Sequence, residues 1–208
     1  MHYFTNGADM WIKSRLLPLL ALISLSTAQA TEPTLCLSCH GESSRIALGA
    51  PVLDAQHKPY LQKQLQQFKA GERGAEAADA AGQQMAAVAK NLSDAEIEQL
   101  AGYFAALPKA VAATEPAAAS MLDKGRRIYI GNCGTCHGTQ AEGNAALHAP
   151  ALSSLNTAYL QLQLQHFRTG QRGQHKTDKP GRQMAMMART LTEADVQAVV
   201  AYIGAGLP

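Results

Sequence analysis

One short pattern occurs twice in this chain and constrains everything else about it. LCLSCHG stands at 35–41 and NCGTCHG at 132–138, and these two copies of C-x-x-C-H use all 4 cysteines of the 208 residues. The likeness extends past the motifs. Cys36, Cys39 and His40 align with Cys133, Cys136 and His137. Pro51, Tyr60-Leu61, Phe68, Gly71-x-Arg73-Gly74, Met85, Leu92 and Tyr103 then find partners in Pro150, Tyr159-Leu160, Phe167, Gly170-x-Arg172-Gly173, Met184, Leu191 and Tyr202. This is a unit of roughly 75–85 residues, duplicated once, and two copies are too few for a solenoid.

The N-terminus bears on the chemistry open to those cysteines. Lys13 and Arg15 precede the apolar run LLPLLALISLSTA at 16–28, and Ala28-Gln29-Ala30 fits a small-x-small cleavage site. We read residues 1–30 as a signal peptide, with Met10 opening the leader proper. An uncleaved anchor is the alternative, and either way the working part lies outside the cytoplasm, in the periplasm. No later stretch is long and apolar enough to span a bilayer. In an oxidising compartment four cysteines are able to form two disulfides. Thioredoxin-like chemistry needs a strand before the motif, and none is visible. Zinc needs four ligands, while each motif offers two Cys and one His. The formal charge of +2 is too small to argue for nucleic acid.

Each unit reads as all-α. Residues 59–71 open with Pro59 in the first turn, carry apolar side chains at 61, 65 and 68, and close on Gly71. Residues 157–170 repeat this with a Thr cap. Ser93 and Glu96 form a capping box ahead of a helix that puts Ile97, Leu100, Tyr103 and Phe104 on one face, and 192–206 does the same with Val196, Val199, Val200 and Ile203. PKAVAATEPAAAS at 108–120 reads as a linker. The expected organisation is a leader at 1–30, a first domain at 31–108, a linker at 109–120 and a second domain at 121–208. The chain is 47% hydrophobic but only 5% aromatic, and a large apolar cofactor would ease that shortage of bulky core side chains.

C-x-x-C-H is the attachment signature of c-type haem. Two thiols one helical turn apart reach the two vinyl groups of a porphyrin, and the next residue, His40 or His137, lies under the iron. The sixth ligand must come from downstream. Met85 and Met184 are paired by register, whereas Met186 and Met187 lack counterparts and read as wall residues. A methionine is also a common core filler, but a thioether on iron is a soft donor that favours the ferrous state. Pro51 and Pro150 each end a loop after the motif. That loop either turns a backbone carbonyl toward the ligand imidazole or is a plain proline turn. The other histidines (His2, His57, His148, His166 and His175) do not recur and read as solvated or packed. With both axial positions filled, electron transfer is favoured over catalysis.

On CLSCHG and CGTCHG, the P-x-L turn before a Tyr-Leu helix, and a Met seven residues before the Leu that leads into the last helix, the chain resembles the diheme cytochrome c4 family. The resemblance spans the mature chain. It implies two tandem class I cytochrome c domains, two covalently bound haem c groups with His/Met ligation, close packing across a pseudo-twofold, and transfer of electrons to a terminal oxidase or related membrane complex. Partners are redox proteins, in solution or at the membrane surface. The competing reading is the diheme subunit of a complex such as a flavoprotein sulfide dehydrogenase. A diheme peroxidase would need a displaceable ligand.

Two differences separate the units. The second has a first helix, LDKGRRIYIGNC, in which Gly125 and Tyr129 are expected to pack near Tyr202; the first has only TEPTL before Cys36. The face around Tyr103 and Phe104 therefore loses a partner, which domain 2, the linker or another protein is expected to replace, and the first haem is expected to be more exposed. The segment before Met85 carries Glu72, Glu76 and Asp79 against Arg73, a balance of −2, and that before Met184 carries Arg172, Lys176, Lys179 and Arg182 against Asp178, a balance of +3. Positive charge favours reduced iron, so the second haem is expected to have the higher potential.

Overall fold

The computed structural model describes Met1, residues 32–110 and residues 114–208. The expected leader and the middle of the expected linker lie outside the described residues. Among those described the structure is helical, with a single isolated bridge between Asn144 and Ala149. The first unit holds α1 (Thr34–His40), α2 (Glu42–Leu48), α3 (Lys58–Lys69), α4 (Ala80–Ala89) and α5 (Asp94–Ala106); the second holds α6 (Ala119–Ile128), α7 (Gly134–His137), α8 (Thr157–Thr169), α9 (Lys179–Ala188) and α10 (Glu193–Gly204). Helix α6 begins at Ala119, so the last two residues of the expected linker are helical.

Local chemistry sets these boundaries. Both capping boxes form, Ser93 with Glu96 and Thr192 with Asp195, and such caps each stabilise a helix start by about 1 kcal/mol. The cap of α8 is Asn156, which accepts from Tyr159 N, rather than the expected Thr157. Helices α4 and α9, which carry Met85 and Met184, start inside what the sequence presented as loop. Their caps are Asp79, accepting from Gly82 N, and Asp178, accepting from Gly181 N. The glycines of the repeated G-x-R-G have a steric reason. A Cβ on Gly74 would lie 2.2 Å from Gly82 O, and one on Gly173 would lie 2.3 Å from Gly181 O. The chain returns so close to the start of the methionine helix that no side chain fits.

The units differ most at their last helix. Helix α10 packs along α6, and the crossing is tight at Gly125, where a Cβ would stand 2.1 Å from Ala198 O. Tyr129 follows, 1% exposed, its ring centroid 5.9 Å from that of Tyr202. In the first unit Tyr103, the counterpart of Tyr202, is 40% exposed. The expected loss is narrower than the sequence suggested. Phe104 is buried against Leu61 and Ala101, a burial that contributes about 2 kcal/mol, and only the Tyr103 side of the helix is left open.

The two units meet through arginines in the loops after α3 and α8, each reaching the other unit's helix. Arg73 donates to Tyr159 Oη (3.4 Å) and Gln163 Oε1 (3.0 Å), while Arg172 donates to Tyr60 Oη (3.2 Å) and Gln64 Oε1 (2.9 Å). Each guanidinium lies over its own unit's phenylalanine, at 4.4 Å for Arg73 over Phe68 and 4.6 Å for Arg172 over Phe167. The exchange is symmetric because Tyr60, Gln64 and Arg73 occupy the register positions of Tyr159, Gln163 and Arg172. Other cross-unit contacts lack a mirror image. Lys63 pairs with Asp178 at 2.5 Å, and His57 Nε2 donates to Glu142 O at 2.9 Å.

Candidate metal centres

In the second unit the C-x-x-C-H segment is held from below. A π-turn at Tyr129–Cys133 runs into α7, a local widening of the helix of the kind that recurs at functional sites. The hydroxyl of Tyr129 donates to Gly138 O at 2.6 Å, and Gly143 N donates to His137 O at 2.7 Å, so the turn after the motif is tied at both ends. Among the described residues of the first unit no such tyrosine precedes Cys36. Helix α1 buries none of its residues, and His40 is half-buried where His137 is 8% exposed. Among the described residues the first centre is the more open one.

Both histidines are oriented the same way. His40 Nδ1 donates to Pro51 O and His137 Nδ1 donates to Pro150 O, each at 2.9 Å. The prolines are therefore more than turns. Their carbonyls fix the ring and the tautomer, which leaves Nε2 with its lone pair outward as a metal ligand requires. Burial pushes both imidazoles below their ordinary pKa, against the opposing pull of the proline carbonyl, and so keeps them neutral. Burial also raises the Cys36 and Cys133 thiols, the latter to about 11 with the charge of Cys136 adding to the effect.

The structure brings the first set together. Cys36, Cys39, His40 and Met85 all line one cavity, walled mostly by apolar side chains such as Leu53, Leu61 and Phe104. Domain 2 closes part of that wall with Leu155, Tyr159 and Leu162. Arg73 also lines the cavity, and its Nε is buried without a hydrogen-bond partner. An apolar slot with two thiols, a poised imidazole, a thioether and one unpaired guanidinium N–H suits a flat iron macrocycle bearing carboxylates. In the second unit Met184 packs with Phe167, Ala185 and Ala188 beside Leu164, while Met186 points to solvent at 66% exposure.

Some residues at the sites carried no clear sequence signal. Arg73 and Arg172 stood out in a repeated G-x-R-G, but nothing in that motif says they cross between units. His166 was read as a solvated or packed imidazole, and the structure gives it a specific place. It is 5% exposed, with Nδ1 3.8 Å from Asp79 Oδ1 and no hydrogen bond. Burial lowers its pKa, with Arg172 and Arg73 adding to that effect and Asp79 opposing it. Because Asp79 caps α4, an imidazole of the second unit faces the start of the helix that carries Met85.

The cytochrome c family profile matches twice, at residues 28–108 and 122–206. Cytochrome c4 of Azotobacter vinelandii is 31% identical over 180 residues, spanning 81% of this chain and 82% of the relative. A thiosulfate dehydrogenase electron acceptor of Thiomonas intermedia is 30% identical over 188 residues, spanning 86% of this chain and 81% of the relative. Among solved structures, reduced recombinant cytochrome c4 from Pseudomonas stutzeri superposes with a TM-score of 0.67 at 29% identity, covering 85% of this chain and 95% of that one.

Proposed function

This chain belongs to the cytochrome c family as a diheme protein of the cytochrome c4 kind, and from that premise we propose that it passes single electrons between redox proteins in the periplasm. It carries two covalently bound haem c groups, tethered through Cys36 and Cys39 and through Cys133 and Cys136, and it is an electron carrier rather than an enzyme. Each group supplies a one-electron Fe(III)/Fe(II) couple, and the protein supplies what surrounds it.

In this reading His40 with Met85, and His137 with Met184, would hold the two irons. The observation that carries it is the same 2.9 Å bond from His Nδ1 to a proline carbonyl in both units, with Met85 on the wall of the cavity that His40 lines. Those bonds make each imidazole a better donor to iron and fix its plane. The apolar walls exclude water, and the crossed arginines tie the two units together. Taking domain 1 as 31–108 and domain 2 as 121–208, joined by 109–120 and exported by a leader at 1–30, accounts for a cofactor that must stay attached outside the cytoplasm. No helix among the described residues is long and apolar enough to cross a membrane.

The delivery end is domain 2. On α9 and its cap, Lys179, Arg182, Met186 and Arg189 are exposed at helical spacing, an apolar tip ringed by cations beside the Met184 site. Such a surface steers and seats a partner with an acidic rim. In this proposal that partner is a terminal oxidase. The Thiomonas intermedia relative, an electron acceptor for thiosulfate dehydrogenase, favours a second reading in which a dehydrogenase is the donor.

Mass spectrometry of the exported protein is expected to find two porphyrins per chain and cleavage after Ala30, with magnetic circular dichroism finding His/Met ligation at both irons. One porphyrin, or an open iron face that turns over peroxide, would sink the proposal.

A further inference from the structure

Gln56 belongs to domain 1, yet its side chain is buried, 3% exposed, against the histidine loop of domain 2. Its Oε1 accepts from Ala151 N at 2.8 Å, and its Nε2 donates to Ala151 O at 3.0 Å. His57 N also donates to Oε1, at 3.1 Å, which leaves no doubt about which end of the amide is oxygen. Ala151 N and Pro150 O are two ends of the same peptide group, and Pro150 O is the atom that accepts from His137 Nδ1. One peptide therefore stands in series between a glutamine of one domain and the iron-ligand histidine of the other.

We propose that Gln56 is a positioning residue that tunes the haem of domain 2 from domain 1 by polarising the Pro150–Ala151 peptide. Hydrogen bonds in a chain strengthen one another. Withdrawal of the Ala151 proton toward Gln56 Oε1 puts more negative charge on Pro150 O. That oxygen then draws harder on His137 Nδ1–H, the imidazole gains anionic character, and Fe(III) is favoured. The device acts in one direction only. The register counterpart of Gln56 is Leu155, which has no hydrogen-bonding side-chain atom and so makes no such bond to a peptide of domain 1; both residues also line the domain 1 cavity. Gln56 thus lowers the potential of the domain 2 haem while the basic surface of α9 raises it, and the separation between the two haems is smaller than charge alone would set.

This inference rests on His137 being an axial ligand, and the test keeps the two apart. In the ferrous, diamagnetic holoprotein, the His137 ring protons are expected in the haem-shifted region of the proton NMR spectrum. If they are not there, the ligand reading fails before any variant is compared. Given that they are, Gln56→Met is expected to move the His137 Nδ1–H resonance upfield and raise the potential of the domain 2 haem. The His40 resonance should stay in place, because its partner is Pro51 O of its own domain. His57→Ala, which breaks the neighbouring bond to Glu142 O, is expected to reproduce neither change. The proposal is overturned if Gln56→Met leaves the His137 signal unmoved, if the His40 signal moves with it, or if His57→Ala gives the same shift. Should Gln56→Met fail to load haem, Gln56→Leu, which copies Leu155 of the other unit, must likewise move the His137 signal upfield; a downfield move or none overturns the proposal equally.

Discussion

Replacing Gly125 with alanine sets two effects of opposite sign against each other. In the interior of an exposed helix, Gly→Ala stabilises by about 1 kcal/mol, because alanine has less backbone freedom to lose. At Gly125 the new methyl would stand 2.1 Å from Ala198 O and 2.6 Å from Tyr202 Cβ. Carbon–oxygen contacts settle near ~3.3 Å, so α6 and α10 would have to separate by roughly 1 Å. Overpacking costs about 1–3 kcal/mol. Ala198 O is backbone that no rotamer change can clear, so the cost sits at the upper end and the net loss is about 2 kcal/mol. For a domain of this size that lowers the midpoint by roughly 10 °C.

Gly102→Ala in α5 is the internal control. The nearest atom to its Cβ would be Lys58 Cε at 4.0 Å, and domain 2 already has alanine at the matching position, Ala201. It is expected to stabilise domain 1 by about 0.5–1 kcal/mol. Thermal and urea unfolding of the holoprotein, followed by far-UV circular dichroism and by the Soret band, measures both. A neutral or stabilising Gly125→Ala would refute the close α6–α10 crossing, and with it the account of why the two domains differ.

Three further outcomes are expected. A redox titration with each haem assigned should give domain 2 the higher potential, because its centre is better buried and its α9 surface is cationic. Met184→Ala is expected to abolish the Met–Fe(III) charge-transfer band of one haem and lower that haem's potential, whereas Met186→Ala, at 66% exposure, leaves the band unchanged. His166 has a folded pKa below its ordinary value of 6.5, so between those two values the unfolded chain binds more protons. Stability is therefore full above pH 6.5 and declines as the pH falls below it. His166→Gln, which copies Gln67 of the other unit, should flatten the thermal stability profile through that window.

Much of this was legible in the sequence because the pattern occurs twice. Register alone paired Met85 with Met184 and Pro51 with Pro150, and the capping boxes at Ser93 and Thr192 marked the last helix of each unit. What stayed hidden was of two kinds. Helices α4 and α9 were obscured by their alanine, glutamine and charged residues, which show little apolar periodicity; Asp79 and Asp178 as caps were the available signal. The contacts between units were hidden for a deeper reason. Gln56, His57, Lys63 and His166 have no counterparts with the same chemistry, so a reading by repetition discards the residues that make the two halves unequal. Their roles depend on a surface that exists only once both domains have folded and met.

The crossed arginines have a consequence for how such a molecule is built. Tyr60, Gln64 and Arg73 offer one half of a handshake whose other half is Tyr159, Gln163 and Arg172, so each domain presents a patch complementary to its own likeness. A lone domain of this design already has what a twofold dimer needs. Joining two of them end to end adds no new recognition; it raises the local concentration of the second half until the contact is permanent. The bonds without a mirror image then specify which half is which, and so give a symmetric pair of irons a direction.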